Sequence, residues 1–266
     1  MLEKTMVKTN IKIGVAGCGA LGTIVCNALT KGIPGYEFIG VSDIASPNFG
    51  VPNLSFDELS EQCDWVVECL PPKIVPELAE TVLGKDKTLI MISACSLLLF
   101  PEIEEMAKQS NGRILVPSGA IAGLDAVSAL NCANIDSATI ATTKHPRSLQ
   151  GAPYIAEQNI DLDNITENTR IFKGNAHEAA KAFPANVNVA ATLSLAGIGA
   201  ENTSVEVWAD PNAPGNKHEI TVVGGKSTIK TSVENLPDPD NPKSSMLAGY
   251  SIVSALEQNT KMITII

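Results

Sequence analysis

Histidine is scarce in this chain, with three in 266 residues, and basic side chains are outnumbered, 19 Lys and Arg against 29 Asp and Glu, for a net charge of −10. The acidic balance gives a field that repels phosphate backbones, so nucleic acid is not an expected partner. The shortage of histidine restricts near-neutral proton transfer to His145, His177 and His218. No apolar run approaches the roughly 18 residues that cross a bilayer; the longest suspect, residues 97–100, reads as buried core. The first eight residues lack the apolar stretch of a secretory signal, and a cytoplasmic protein is expected. Six cysteines (Cys18, Cys26, Cys63, Cys69, Cys95 and Cys132) form no Cys-x-x-Cys pair and mostly lie in apolar segments, which argues against a zinc site or a disulfide framework. The carboxylate clusters Glu102/Glu104/Glu105 and Asp161/Asp163 read as solubilising, and no metal is expected.

What is present is an apolar content of 44%, enough for two modest cores. Near the N-terminus the turn Gly17-Cys18-Gly19-Ala20-Leu21-Gly22 lies between a strand-like run, Ile11-Lys12-Ile13-Gly14-Val15-Ala16, and a helix-like run carrying Ile24, Val25, Ala28 and Leu29. In that context the first Gly permits a tight turn, the second lets the backbone approach a pyrophosphate, and the third allows close helix packing, with the helix N-terminus facing the phosphate charge. Asp43 follows a second apolar strand, Phe38-Ile39-Gly40-Val41-Ser42. A carboxylate there accepts from ribose hydroxyls and repels a 2′-phosphate, so NAD is favoured as cofactor; Lys12 or Lys31 leaves NADP open.

Beyond Asp43, strands and helices alternate: a capping box at Ser55-Phe56-Asp57-Glu58, a strand Trp65-Val66-Val67-Glu68-Cys69, a helix over 74–83, a strand over 88–93, a helix over 102–108 and a strand over 113–116. Continuous apolar strands separated by helices predict an α/β, doubly wound (Rossmann) NAD(P)-binding domain with a parallel sheet. From Pro117-Ser118-Gly119 onward, strands over 138–143, 204–209, 219–223 and 228–233 have few helices between them, which predicts a second, α+β domain carrying a mixed or antiparallel sheet. An Ala-rich helix over 176–183 belongs to this domain, and 245–256 reads as a final helix.

The second half carries four ordered motifs: Pro117-Ser118-Gly119-Ala120-Ile121-Ala122-Gly123-Leu124-Asp125; Phe183-Pro184-Ala185-Asn186-Val187-Asn188-Val189-Ala190; Ala209-Asp210-Pro211 followed by Asn216-Lys217-His218-Glu219-Ile220; and Asn235-Leu236-Pro237 with Asn241-Pro242-Lys243-Ser244. Together they resemble the L-aspartate dehydrogenase family over nearly the whole chain. The resemblance implies NAD(P)-dependent oxidation of L-aspartate to iminosuccinate, which water converts to oxaloacetate and ammonia, with the imine able to feed NAD biosynthesis. It implies nicotinamide-side contacts at Ala122 and Asn188, a catalytic His218, a last helix that packs on the nucleotide domain, and a homodimer or larger assembly. Residues 1–117 plus 241–266 would then form the dinucleotide-binding domain, and 118–240 the substrate, catalytic and dimerisation domain.

Two loops depart from the family's pattern. Where small residues are expected after the third strand and a Ser-Val-Gly-Ala-Leu-like segment after the fourth, this chain has Cys69-Leu70-Pro71-Pro72 and Ser93-Ala94-Cys95-Ser96-Leu97. Such loops follow the C-terminal strand ends where ligands bind in open α/β folds, so a different amino or imino acid stays open as an alternative substrate. So does a non-catalytic NAD-binding sensor.

Among the histidines, His177 reads as part of a charged, solvated helix face, and His145, between Lys144 and Pro146-Arg147, as a solvated strand end. His218, at a strand start after a Pro/Gly/Asn loop, is the candidate general base. Partners for two substrate carboxylates are sought among Lys243, Lys144, Arg147, Asn186 and Asn188. The two asparagines follow Pro184 at a helix start, where capping accounts for one and leaves the other with a free amide. The substrate candidates retained are Asn186 and Lys243.

Overall fold

The computed structural model describes residues 10–236 and 245–265. Ten strands and ten α-helices alternate in the order β1 (Ile11–Ala16), α1 (Ala20–Lys31), β2 (Tyr36–Ser42), α2 (Phe56–Gln62), β3 (Trp65–Glu68), α3 (Val75–Leu83), β4 (Thr88–Met91), α4 (Cys95–Leu99), α5 (Glu102–Gln109), β5 (Arg113–Leu115), α6 (Leu124–Asn131), β6 (Ile135–Lys144), α7 (Pro153–Glu157), β7 (Thr169–Asn175), α8 (Ala176–Ala182), α9 (Asn188–Ala196), β8 (Thr203–Ala209), β9 (Asn216–Gly224), β10 (Ser227–Asn235) and α10 (Met246–Thr260) among the described residues.

The first five strands form an all-parallel sheet in the order β2-β1-β3-β4-β5. Chain direction across the sheet reverses beside β1, which makes the β1/β3 boundary the switch point where open α/β sheets bind ligands. Both faces are covered, one by a cluster containing Ile13, Val15, Val25 and Ile90, the other by a cluster containing Leu59, Val66, Leu78 and Leu89. This explains why β3 is apolar at successive positions and buried throughout. The capping box is present: Ser55 Oγ accepts from Glu58 N and the Glu58 carboxylate accepts from Ser55 N. β4 stops at Met91, two residues short of the sequence expectation, because Ser93 N–H turns away to donate to Glu68 Oε2 (3.0 Å).

The second sheet has the order β10-β9-β6-β8-β7 and is mixed: β6 and β8 are parallel, and the other neighbours are antiparallel. Alternating burial along β6 and β8 shows that one face packs on helices. Tyr154, Phe172 and Phe183 close that core with ring centroids 5.2–5.5 Å apart. Three elements here escape the sequence reading. β7 is an edge strand of mixed polarity, α6 starts after Gly123 at φ +84° without a side-chain cap, and α7 is a single short turn region opened by Pro153.

α10 returns to the first sheet. Ile252 and Leu256 are fully buried in the cluster that holds Val25 and Leu29 of α1, Gly249 lies against Ile24, and Asn259 Nδ2 donates to the Tyr36 hydroxyl (3.0 Å). Among the described residues no helix is long and apolar enough to cross a membrane. Replacing Ile252 by Ala removes a wholly buried side chain from this seam; urea unfolding should show a loss of about 2–4 kcal/mol with an unchanged slope.

Candidate active site

The first and third glycines of the turn have no room for a side chain. Gly17 has φ +89°, and a Cβ there would collide with the Cys69 carbonyl. A Cβ on Gly22 would collide with the Gly17 carbonyl, so the third glycine permits the turn to fold against the first turn of α1. At Gly19, the N-cap of α1, a Cβ would meet nothing within 4 Å. The backbone is therefore open at the position where the sequence reading expects the close approach of a pyrophosphate. Asp43 follows β2 and reaches back to the turn: Cys18 N–H donates to its Oδ2 (2.6 Å) and Ala45 N–H to its Oδ1 (2.7 Å). Asn53 holds its backbone from both sides, at 2.9 Å each. Cys18 Sγ is 4.0 Å from Cys26 Sγ, a contact that draws the Cys18 thiol below its usual range.

Gly17, Gly19, Ala20, Leu21 and Asp43 line a crevice of about 710 Å³ whose far wall is Leu70, Pro71, Pro72, Ile74 and Ser93. Both departing loops therefore border it. Beneath them lies Glu68, fully buried at the end of β3, a residue sequence reasoning passed over although it is a carboxylate in an otherwise apolar strand. Ser93 N–H and Oγ–H and Leu70 N–H donate to it. Burial nevertheless pushes its carboxyl up to about 7, against the pull of those donors. Glu68 ties the β3 and β4 loops together.

The crevice runs into a smaller chamber of about 140 Å³; Leu21, Ile92, Ala185 and Asn188 line both. The chamber's polar side chains are Lys144, Asn186, Asn188, Thr192, Asn216, His218 and Ser245. His218 does not sit at a loop edge as expected. It is the third residue of β9, 3% exposed, placed on the covered face by the strand's two-residue alternation, while Lys217 turns outward to Glu219 and Glu234. Its cross-strand neighbour in register is Thr142, and Thr142 Oγ1 shares a hydrogen bond of 3.0 Å with His218 Nδ1. Among the described residues Nε2 has no partner. Burial first, and then the charge of Lys144, lower the imidazole to about 3, so it is neutral near pH 7.

Lys144 overturns another expectation. The basic strand end was read as solvated, yet Lys144 is 6% exposed, because β6 is the central strand of its sheet and neighbouring elements cover its end. Burial lowers its ammonium to about 8. His145 and Arg147 lie in a separate surface hollow, where His145 Nδ1 accepts from Arg147 N–H (3.2 Å), and His177 sits on α8 with Nδ1 3.8 Å from Glu201.

Neither asparagine caps α9. Its N-cap is Val187, without a side-chain hydrogen bond, and Asn188 Oδ1 instead accepts from Cys95 N–H (3.1 Å) at the start of α4, across the mouth of the chamber. Asn188 Nδ2 has no partner among the described residues, and Asn186 lines the chamber. Ala122 is exposed outside both linings, its carbonyl accepting from Thr231 Oγ1 (3.2 Å); Gly119 and Ala120 of the same motif line the chamber. Lys243, with the rest of its Asn-Pro-Lys-Ser motif, lies outside the described residues.

The family model for the C-terminal part of aspartate dehydrogenase matches residues 125–259. Curated relatives over nearly full length include L-aspartate dehydrogenase 3 of Bordetella bronchiseptica, 40% identical over 94% of this chain and 96% of that protein. The L-aspartate dehydrogenase of Methanosarcina barkeri is 41% identical over 93% and 96%. Among solved structures, aspartate dehydrogenase from Thermotoga maritima superposes with a TM-score of 0.77 at 28% identity, covering 96% of this chain and 99% of that one. Scyllo-inositol dehydrogenase from Lactobacillus casei, solved with NAD(H) and scyllo-inositol, shares the fold at a TM-score of 0.54 and 14% identity, covering 94% and 87%.

The contrast between two glycines gives a test of the turn. Gly19→Val should fold with an unchanged melting temperature while NADH affinity, followed by fluorescence, falls by about tenfold or more; Gly22→Ala should instead lower the melting temperature, because its methyl group has no space.

Proposed function

The chain belongs to the L-aspartate dehydrogenase family of amino-acid dehydrogenases, and from that premise we propose that it oxidises L-aspartate with NAD to iminosuccinate, which water converts to oxaloacetate and ammonia. The observation that carries this reading is the continuity of the glycine-turn crevice with the chamber of His218 through Asn188, a residue common to both. We assign residues 1–117 plus 241–266 to cofactor binding and 118–240 to substrate binding, catalysis and assembly into a homodimer or larger species. In this reading the imine also feeds NAD biosynthesis.

A dinucleotide suits the cradle because Gly19 leaves its backbone bare and Asp43 stands where ribose hydroxyls would be met. Gly17, Gly19 and Ala20 would hold the pyrophosphate, Asp43 the adenosine ribose, and the spare Nδ2 of Asn188 the nicotinamide carboxamide. Bound there, the nicotinamide supplies a hydride acceptor. Thr142 keeps the His218 ring oriented with Nε2 as the reactive nitrogen. Nε2 takes a proton from the substrate ammonium as the Cα–H bond is lost, releases that proton to solvent, and, neutral again, takes a proton from the water that adds to the imine. A neutral imidazole is required for either step, and its burial keeps it so.

Initial rates with L-aspartate and either NAD or NADP, with ammonia measured alongside, test the reaction as a whole. Reduced cofactor and ammonia should appear in equal amounts, faster with NAD because the Asp43 carboxylate repels a 2′-phosphate. No reduced cofactor from L-aspartate, or preference for another amino acid, would overturn the assignment. His218→Ala should cut kcat by about 10²–10⁴-fold and leave NADH binding near normal; unchanged turnover would remove this imidazole from the mechanism.

A further inference from the structure

We propose that Lys144 is a carboxylate socket, an ammonium held in the chamber wall without a counter-ion of its own and completed by a carboxylate of the bound amino acid. The inference rests on the aspartate reading and extends it to a residue that the family motifs did not single out.

Three observations converge on Lys144. It is 94% buried at the end of the central strand β6, yet it forms no side-chain hydrogen bond or ion pair among the described residues. It lines the chamber, whose described wall contains no Asp or Glu. The first turn of α9, with Asn188 and Val189, borders the same space, so the positive end of a helix adds to the ammonium. A buried charge with no partner is costly to the fold and is retained where a ligand supplies the missing half.

The socket also bears on His218. Lys144 and His218 are the titratable side chains of the described chamber wall, and the ammonium disfavours a second positive charge on the imidazole. A carboxylate on Lys144 offsets that field. Arrival of the anionic substrate thus makes His218 a better base at the moment a base is needed.

The test uses Lys144→Met and Lys144→Gln, with succinate as an unreactive dicarboxylate in the presence of NADH. The wild-type melting temperature should rise with succinate. The neutral variants should start at the wild-type value or about 2 °C above it, keep NADH affinity, and lose the succinate response. KM for L-aspartate should rise by about 30-fold or more. Comparing L-aspartate with L-asparagine assigns the socket: a loss confined to aspartate places the side-chain carboxylate on Lys144, and an equal loss on both places the α-carboxylate there. A full succinate response or an unchanged KM in the variants would overturn the proposal. So would unfolding of both variants, since an ammonium needed for folding has its partner within the protein. Failure of the wild type to oxidise aspartate, with a succinate response that still depends on Lys144, would defeat the aspartate assignment and leave the socket standing.

Discussion

The hydrogen bond from Cys95 N–H to Asn188 Oδ1 sets the geometry on which the rest of the site depends. It joins the start of α4, just beyond the parallel sheet, to the start of α9 in the second half. α4 belongs to both sides: Ala94 and Cys95 are fully buried in the core that also contains Ala180, Ala190 and Leu193. With Asn188 held at its carbonyl end, the amide has one face committed to structure and one left for a ligand. α10 reinforces the junction, since Ser251 Oγ accepts from Gly119 N–H (3.1 Å). The crevice walls are therefore fixed from two directions, and under the proposed function a nucleotide held by the glycine turn would have its other end directed toward the chamber.

Burial tunes the groups around this junction in opposite senses. Glu68, under the crevice floor, is pushed up, while Lys144 and His218, in the chamber, are pushed down. Glu68 is met by three donors and serves as a structural brace between two strand ends. The chamber pair has no comparable satisfaction among the described residues: His218 has one hydrogen bond and Lys144 has none from its side chain. A braced carboxylate lies below the crevice and a cation without a partner among the described residues lies in the chamber beyond. That asymmetry suits the proposed order, with the cofactor at the turn and the acid in the chamber.

The parts of this arrangement written in local chemistry were legible in the sequence. Gly17 needs a positive φ and Gly22 needs to lack a side chain, and these demands act within six residues, so the turn was readable in place, while Asp43 was readable from its position after the second apolar strand. The parallel order of the first sheet followed from apolar strands separated by helices. What was hidden depends on tertiary cover. Lys144 beside His145, Pro146 and Arg147 looks like a wet strand end, and only the central place of β6 buries it. His218 sat beyond the predicted strand start because the polar Asn216 and Lys217 resemble loop residues, although their backbone pairs in register with β10. β7 was invisible because an edge strand does not need an apolar alternation, and the Asn188 bond to Cys95 spans 93 positions, beyond any local signal.

A crystal structure with NAD and succinate bound tests the central claim most directly. The account predicts the nicotinamide carboxamide on Asn188, a succinate carboxylate on Lys144, and the reactive carbon of the ring about 3–4 Å from the dicarboxylate, on the side of His218 Nε2. A nicotinamide ring directed away from the chamber, with His218 and the dicarboxylate separated by protein, would contradict it.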